Sequence, residues 1–195
     1  MPNEWLDISV PLRNGMVHWP GDPEVKIWRF AKLGQKIGDN VVPCNVTQVD
    51  MCAHAGTHMD GPLHFVRNGD GLDTLPFEAT IGPARVIEIE DTDSVKAEEL
   101  KKHKLRKGER ILLKTANSKT RWWETKKFNK KFVHISADAS RHLVERGVQT
   151  IGIDYLSVGG FERDGVETHQ ILLGAKVWII EGLDLTQISP GNYDL

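Results

Sequence analysis

The sequence predicts an α/β protein, one domain over residues 1–195 built on a mixed β-sheet. Three observations carry this. Short alternating or apolar segments that read as strands outnumber helical ones. At least two helical segments follow strands directly, as layered α/β folds require. No linker divides the chain, and 195 residues suffice for one sizeable core.

Trp5–Val10 alternates apolar and polar residues and predicts a first strand, ended by Pro11. His18-Trp19-Pro20-Gly21-Asp22-Pro23 follows, with a turn written into Pro-Gly-Asp-Pro. Trp19 beside that turn reads as core or as the wall of a pocket for a planar substrate. Lys32 to Asp39 is polar, with Gly34 and Gly38, and reads as a flexible loop. Asn45–Met51 alternates again and predicts a strand that delivers the following histidines to a sheet edge. Phe65–Gly71 leaves that cluster through an Asn-Gly turn.

Ala84–Glu90 predicts a strand, and Ser94 is placed to cap a helix over Val95–His103, with acids early and lysines late. Arg110–Thr115 reads as a buried strand. Thr120–Lys131 holds Trp122 and Trp123 among basic residues and predicts an exposed loop whose tryptophans cover the core or a pocket mouth. Ser136–Arg146 predicts a helix with Ser136 as N-cap and Gly147 at its stop. Val148–Asp154 is the next strand, and Leu156–Thr168, with Gly159, Gly160 and Gly165, reads as a loop. Lys176–Glu181 is a strand closed by a carboxylate, which is costly to bury unless paired or metal-bound and otherwise simply emerges at the surface.

Composition removes several function classes. Lys+Arg total 25 against Asp+Glu 27, so the net charge of -2 makes no electrostatic case for nucleic acid or an anionic membrane. No run approaches the ~20 apolar residues of a membrane span. Met1-Pro2-Asn3-Glu4-Trp5 lacks the basic and apolar regions of a secretion signal. The two cysteines, Cys44 and Cys52, form no disulfide framework and fit a reduced, cytoplasmic protein. Cys52 reads as a small buried filler near the cluster.

The chemistry concentrates in His54-Ala55-Gly56-Thr57-His58-Met59-Asp60-Gly61-Pro62-Leu63-His64. His54, His58, Asp60 and His64 each bind divalent metal or move a proton. Isolated histidines are usually surface or satisfied core residues, but this density, punctuated by glycine, points to a metal or catalytic site. Gly56, Gly61 and Pro62 oppose a regular helix, so His54 and His58 are not read as one helical face. A strand end curling into a loop places His58 and Asp60, two apart, on the same side. Spacing does not separate ligand from base.

The cluster resembles the signature of the metal-dependent cyclase family, which holds bacterial kynurenine formamidases and isatin hydrolases. Ala55 stands where threonine is usual. Asp7-Ile8-Ser9 with Pro11-Leu12, Trp19-Pro20-Gly21-Asp22, Ile81-Gly82-Pro83, Ile151-Gly152-Ile153-Asp154 with Ser157-Val158, His169 and Glu181-Gly182-Leu183 accompany it in order. The resemblance implies a swivelling β/β/α fold and a homodimer or higher homo-oligomer. It implies metal ligation by His54, His58, Asp60, His169 and Glu181, with Asp60 able to bridge two ions. His64 becomes the general acid/base, and Trp19 lines the substrate pocket. Zinc, or else manganese, suits such an N/O ligand set without thiolates. The implied reaction is hydrolysis of an aryl formamide, N-formylkynurenine to kynurenine and formate. The rival substrate is another cyclic amide, lactone or ester such as isatin, and the rival of another class is a non-catalytic metal-binding scaffold. Two departures stand out. Gly159-Gly160 replaces an Asp-Pro usual in formamidases, and the chain stops at Asn192–Leu195 where relatives continue with another apolar strand.

Overall fold

The computed structural model describes residues 4–195, so Met1–Asn3 of the leader reading lie outside it. The strands are β1 (Lys26–Ala31), β2 (Lys36–Ile37), β3 (Asn40–Val41), β4 (Val46–Asp50), β5 (His58–Asp60), β6 (Pro83–Glu88), β7 (Ser94–Val95), β8 (Arg110–Lys114), β9 (His134–Ile135), β10 (Thr150–Ile153), β11 (Trp178–Glu181) and β12 (Gly191–Asp194). The α-helices are α1 (Phe77–Thr80), α2 (Ala97–Lys101), α3 (Ala137–Glu145) and α4 (Gly165–Gly174).

The central sheet is mixed, as expected, in the order β12-β6-β8-β10-β11-β5. Its four inner strands run parallel, and the two edge strands are antiparallel to their neighbours. Arg110–Lys114 shows why these strands form. Ile111 and Leu113 point to one face and Leu112 to the other, and all three are buried. On the first face they join Ile87, Ile151, Ile153 and Ile179 against Leu100, Leu143 and Leu172 of α2, α3 and α4. On the second face Val86, Leu112, Ile180, Leu183, Leu185 and Ile188 form a separate cluster. Each fully buried aliphatic side chain contributes about 1.5–3 kcal/mol. A third cluster gathers Trp122, Trp123, Phe132, Tyr155 and Leu156, so the two tryptophans of the basic loop do cover core.

Several local expectations are corrected. Trp5–Val10 is not a strand: Trp5 and Leu6 are exposed, and Ser9 makes only an isolated bridge to Leu183. Asp7 accepts from the Ser9 amide and hydroxyl instead, a local bond that competes with strand pairing. Lys32–Asp39 is not wholly loop, because β2 and β3 pair as a small hairpin. Ser94 does not cap a helix. It sits in β7, which pairs parallel with β9, and α2 starts later at Ala97. Tertiary pairing with a distant strand overrides the local capping signal. The predicted loop 156–168 ends early, since α4 already begins at Gly165. β4 pairs with β1 in a separate ribbon, so it leads to the cluster without belonging to the sheet that carries it. Ser136 caps α3 as expected, accepting from the Ala139 amide at 3.4 Å, and Gly147 follows with φ 67°.

Asp154, just after β10, ties that strand end to the turn that follows β8. Its buried carboxylate accepts from the amides and hydroxyls of Thr115 and Ser118 and from the Asn117 side chain. Burial pushes its carboxyl up, and these donors oppose that by favouring the charged form. Asp154→Ala leaves several buried donors unpaired. It is expected to cost about 3 kcal/mol or more, read as a lower urea midpoint at constant m-value.

Candidate metal centre and active-site pocket

β5 forms the sheet edge against β11, with Glu181 opposite His58 and Ile179 opposite Asp60. That antiparallel register brings the carboxylate closing β11 to the histidine cluster. His58 and Asp60 share a face of β5, and His54 reaches them from the turn before it. His169 enters from α4, on the helical face buried against the sheet.

The contacts are close. His54 Nδ1 lies 2.8 Å from Asp60 Oδ1, and His58 Nε2 lies 3.3 Å from Glu181 Oε2. His169 Nε2 lies 3.2 Å from Glu181 Oε1 and 3.7 Å from Asp60 Oδ2. Despite this proximity, His54 Nδ1, His58 Nε2 and both Asp60 oxygens are buried without a hydrogen bond of acceptable geometry. Buried polar atoms left this way require a partner, and a divalent cation satisfies all of them together. Donor atoms of His54, His58 and Asp60 lie within 4.8 Å of one another, as do those of Asp60, His169 and Glu181. Asp60 belongs to both groups, so the donor set has room for one ion or for two sharing this carboxylate.

Backbone groups orient two of these imidazoles. The Gly56 carbonyl lies 3.1 Å from His58 Nδ1, and the Gly165 carbonyl lies 2.7 Å from His169 Nδ1. A carbonyl only accepts, so in both rings Nδ1 carries the proton and Nε2 is left to face the centre. Thr57 donates to the Gly182 carbonyl at 2.6 Å and accepts from the Val10 amide, locking the cluster loop to the end of β11. Gly182 has φ 72°, and a Cβ there would overlap the Gly56 carbonyl.

His64 stands beside the donor set rather than in it. It sits on a short 3-10 turn, Pro62–His64, with its ring stacked on His54 at 3.9 Å. Burial, with the charges of His54 and His169, lowers its pKa against the opposing pull of Asp60 and Glu181. Burial also opposes charge on His58, but the Glu181 carboxylate 3.3 Å away, with Asp60, outweighs it and pushes His58 up to about 9. His169 is raised by the same balance. Glu181 is fully buried, yet His169 and His58 hold it well below the usual carboxylate range.

A cavity of about 370 Å³ opens onto these groups, lined by Trp19, His54, His64, Phe65, Gly160 and His169 among others. Its size suits a small molecule. Trp19 is both wall and packing element, since Phe128 and Phe161 press on it with centroids 5.2 and 5.4 Å away. All predicted site residues therefore converge. Sequence reading missed Phe65, stacked on His169 at 4.2 Å, as well as Asp22, Glu162 and Arg163 at the pocket wall. Phe65 directly follows His64, and Asp22 closes the Trp19-Pro20-Gly21-Asp22 piece, which were usable signals; Glu162 and Arg163 reach the wall only when their loop folds onto the cluster. Cys52 is half-buried, with its thiol 3.5 Å from Asp22.

An α/β scaffold holding an unsatisfied His/Asp/Glu donor set at the mouth of a small-molecule pocket defines a metal-dependent hydrolase. The family profile of the cyclases matches residues 6–159. The chain belongs to the Cyclase family. It is 32% identical to the kynurenine formamidase of Bacillus thuringiensis subsp. konkukian, across 99% of this chain and 88% of that one. A solved structure of a potential metal-dependent hydrolase with cyclase activity superposes with TM-score 0.81 at 28% identity, covering 97% of this chain and 86% of the other. Isatin hydrolase A from Ralstonia solanacearum shares the fold at TM-score 0.77 and 21% identity, over 95% of this chain and 81% of that one. Among the described residues no helix is long and apolar enough to cross a membrane.

The imidazole balance fixes the sign of a pH effect in the metal-free protein. A pKa raised from 6.5 to about 9 contributes stability that is complete below pH 6.5 and lost as the pH rises through about 9. Urea midpoints of chelator-treated protein are expected to fall over that window. A metal-loaded sample, in which the rings stay neutral, is expected to lack this fall. Equal midpoints at both ends for the metal-free protein would contradict the His58–Glu181 pairing.

Proposed function

We propose that the chain is an arylformamidase that hydrolyses N-formylkynurenine to kynurenine and formate in tryptophan breakdown. The observation that carries this is the convergence of five buried or half-buried donor side chains beside a further histidine, His64, in an aromatic-walled pocket. The similarity to kynurenine formamidases over nearly the whole chain supports the choice of substrate.

In this reading His54, His58, Asp60, His169 and Glu181 hold the metal, zinc in first place and manganese as the alternative. A bound divalent cation supplies Lewis acidity, polarising a carbonyl and making water more acidic. The protein does the rest. Trp19 and Phe65 flank the aryl ring and exclude water. His64 takes a proton from the attacking water and returns it to the departing nitrogen as the formamide C–N bond breaks. The oxygen of water ends in formate, and the ring leaves as a neutral arylamine. Glu181 accepts from the Val158 amide at 2.6 Å, which keeps the metal-binding carboxylate registered with the pocket loop.

We assign one domain to residues 1–195, with no nucleic-acid or membrane partner. A cytoplasmic setting fits the two free cysteines. A homodimer or higher homo-oligomer fits the large apolar residues left exposed on β1–β4, Trp28, Phe30, Ile37 and Val49 among them.

The test is absorbance-monitored hydrolysis of N-formylkynurenine by protein stripped of metal and reloaded with zinc or manganese. Metal-dependent turnover is expected. Hydrolysis of isatin or a lactone with none of N-formylkynurenine would replace the substrate assignment. Binding of metal with no hydrolysis of any of these would leave a scaffold. His64→Ala is expected to lower kcat by about 10²–10⁴ with metal stoichiometry retained, whereas Asp60→Ala loses the metal. Loss of metal from His64→Ala would overturn the division of roles.

A further inference from the structure

The loop Gly159–Asp164 forms the pocket wall and is held down at several points. A Cβ on Gly159 would lie 2.5 Å from the Gly165 Cα, and one on Gly160 would lie 2.7 Å from the His134 ring. The loop therefore packs onto α4 and β9 more closely than any side chain at these two positions permits. Asp164 closes it by accepting from the Ala137 amide at 2.8 Å and facing His134 Nε2 at 3.4 Å. Between these anchors Glu162 adopts φ 53°, a left-handed conformation unusual for a residue with a side chain. The consequence is that Glu162 and Arg163, adjacent and opposite in charge, both line the cavity that holds His64 and Trp19. Histidines aside, Arg163 is the only cationic side chain lining that cavity among the described residues.

We propose that Arg163 and Glu162 form a charge-reading rim that selects aryl formamides carrying a zwitterionic α-amino-acid end. The proposal rests on the arylformamidase reading and adds the residues that choose among aryl formamides. Arg163 donates to the α-carboxylate, and Glu162 accepts from the α-ammonium. The ring lies deeper, against Trp19. Arg163 Nη1 is 3.0 Å from Asp93, outside the cavity wall, and that single contact leaves the other guanidinium donors for a ligand. Glu162 makes only a loose 3.9 Å pair with Lys130 and is similarly open to a ligand. Both pairs are exposed, so exchanging them for a bound zwitterion costs little.

The test compares ligands with and without the amino-acid end, by hydrolysis and by equilibrium binding. Metal-loaded protein is titrated with L-kynurenine and with 2-aminoacetophenone, and assayed on N-formylkynurenine and formanilide. Arg163→Gln is expected to cut the preference for L-kynurenine over 2-aminoacetophenone about tenfold, and to raise the KM ratio of N-formylkynurenine to formanilide by a similar factor. Arg163→Lys recovers part of the preference. Asp93→Asn removes the ion pair without touching the cavity and is expected to keep or increase it. The rim is overturned if Arg163→Gln leaves the preference unchanged, if wild type shows none, or if Asp93→Asn abolishes it equally. Turnover of formanilide with no preference for N-formylkynurenine rejects the rim and keeps formamidase chemistry. An Arg163-dependent preference for L-kynurenine without hydrolysis of either formamide keeps the rim and rejects the reaction.

Discussion

The structure depends on the antiparallel edge pairing of β5 with β11. Three residues of β5 carry two of the candidate metal-centre side chains, and the partner strand ends in a third. Two carboxylates, Asp60 and Glu181, are thereby buried within reach of three imidazoles. Such a group of charges is unfavourable in a low-dielectric interior unless each is compensated. Without metal the compensation is protonic, since the acids raise the pKa of both His58 and His169. A cation offers the same compensation and also satisfies the Asp60 oxygens, which the imidazoles leave without hydrogen bonds. The centre is thus a place where protons and metal compete for one set of lone pairs.

Close backbone approaches make that pairing possible. Gly182 turns away immediately after Glu181 and passes against the Gly56 carbonyl, where a side chain would collide. Thr57 clamps the same junction from its hydroxyl. The parallel strands behind it are buried on both faces, which fixes their register through side-chain packing. Helix α4 packs on that sheet and presents His169 from more than a hundred residues beyond the cluster, so this candidate ligand sits on a regular element rather than on a loop.

The pocket is built differently. Its metal side is carried by the sheet and α4, while its outer wall is a loop. Gly159 and Gly160 draw that loop onto His134 and the start of α4, and the charged residues that follow are thereby turned to the rim. The two sides touch, since the Val158 amide donates to Glu181 and the Gly165 carbonyl, against which Gly159 packs, meets His169.

The sequence by itself determined the α/β class, the inner strands and the ligand cluster. These are local properties: apolar runs of strand length, a capped helix at Ser136, and metal-binding side chains packed between glycines. Glu181 carried a signal of its own, as a carboxylate closing an apolar strand, but its meeting with His169 and the cluster was legible only through resemblance to the cyclases, because spacing carries no information about which distant residues meet. Tertiary structure decided the remainder. Ser94 became a strand residue because β9 offers it a parallel partner, and Trp5–Val10 stayed out of the sheet although its alternation suited a strand. Glu181 could have emerged at a surface; β5 covers that edge and buries it. Arg163 and Glu162 lie in the loop that Gly159-Gly160 marked as shaping the pocket, but nothing in the sequence singled out their side chains. Their position follows from backbone contacts of two glycines with residues brought close only by the packing of α4 and β9, and such contacts exist only in the folded chain.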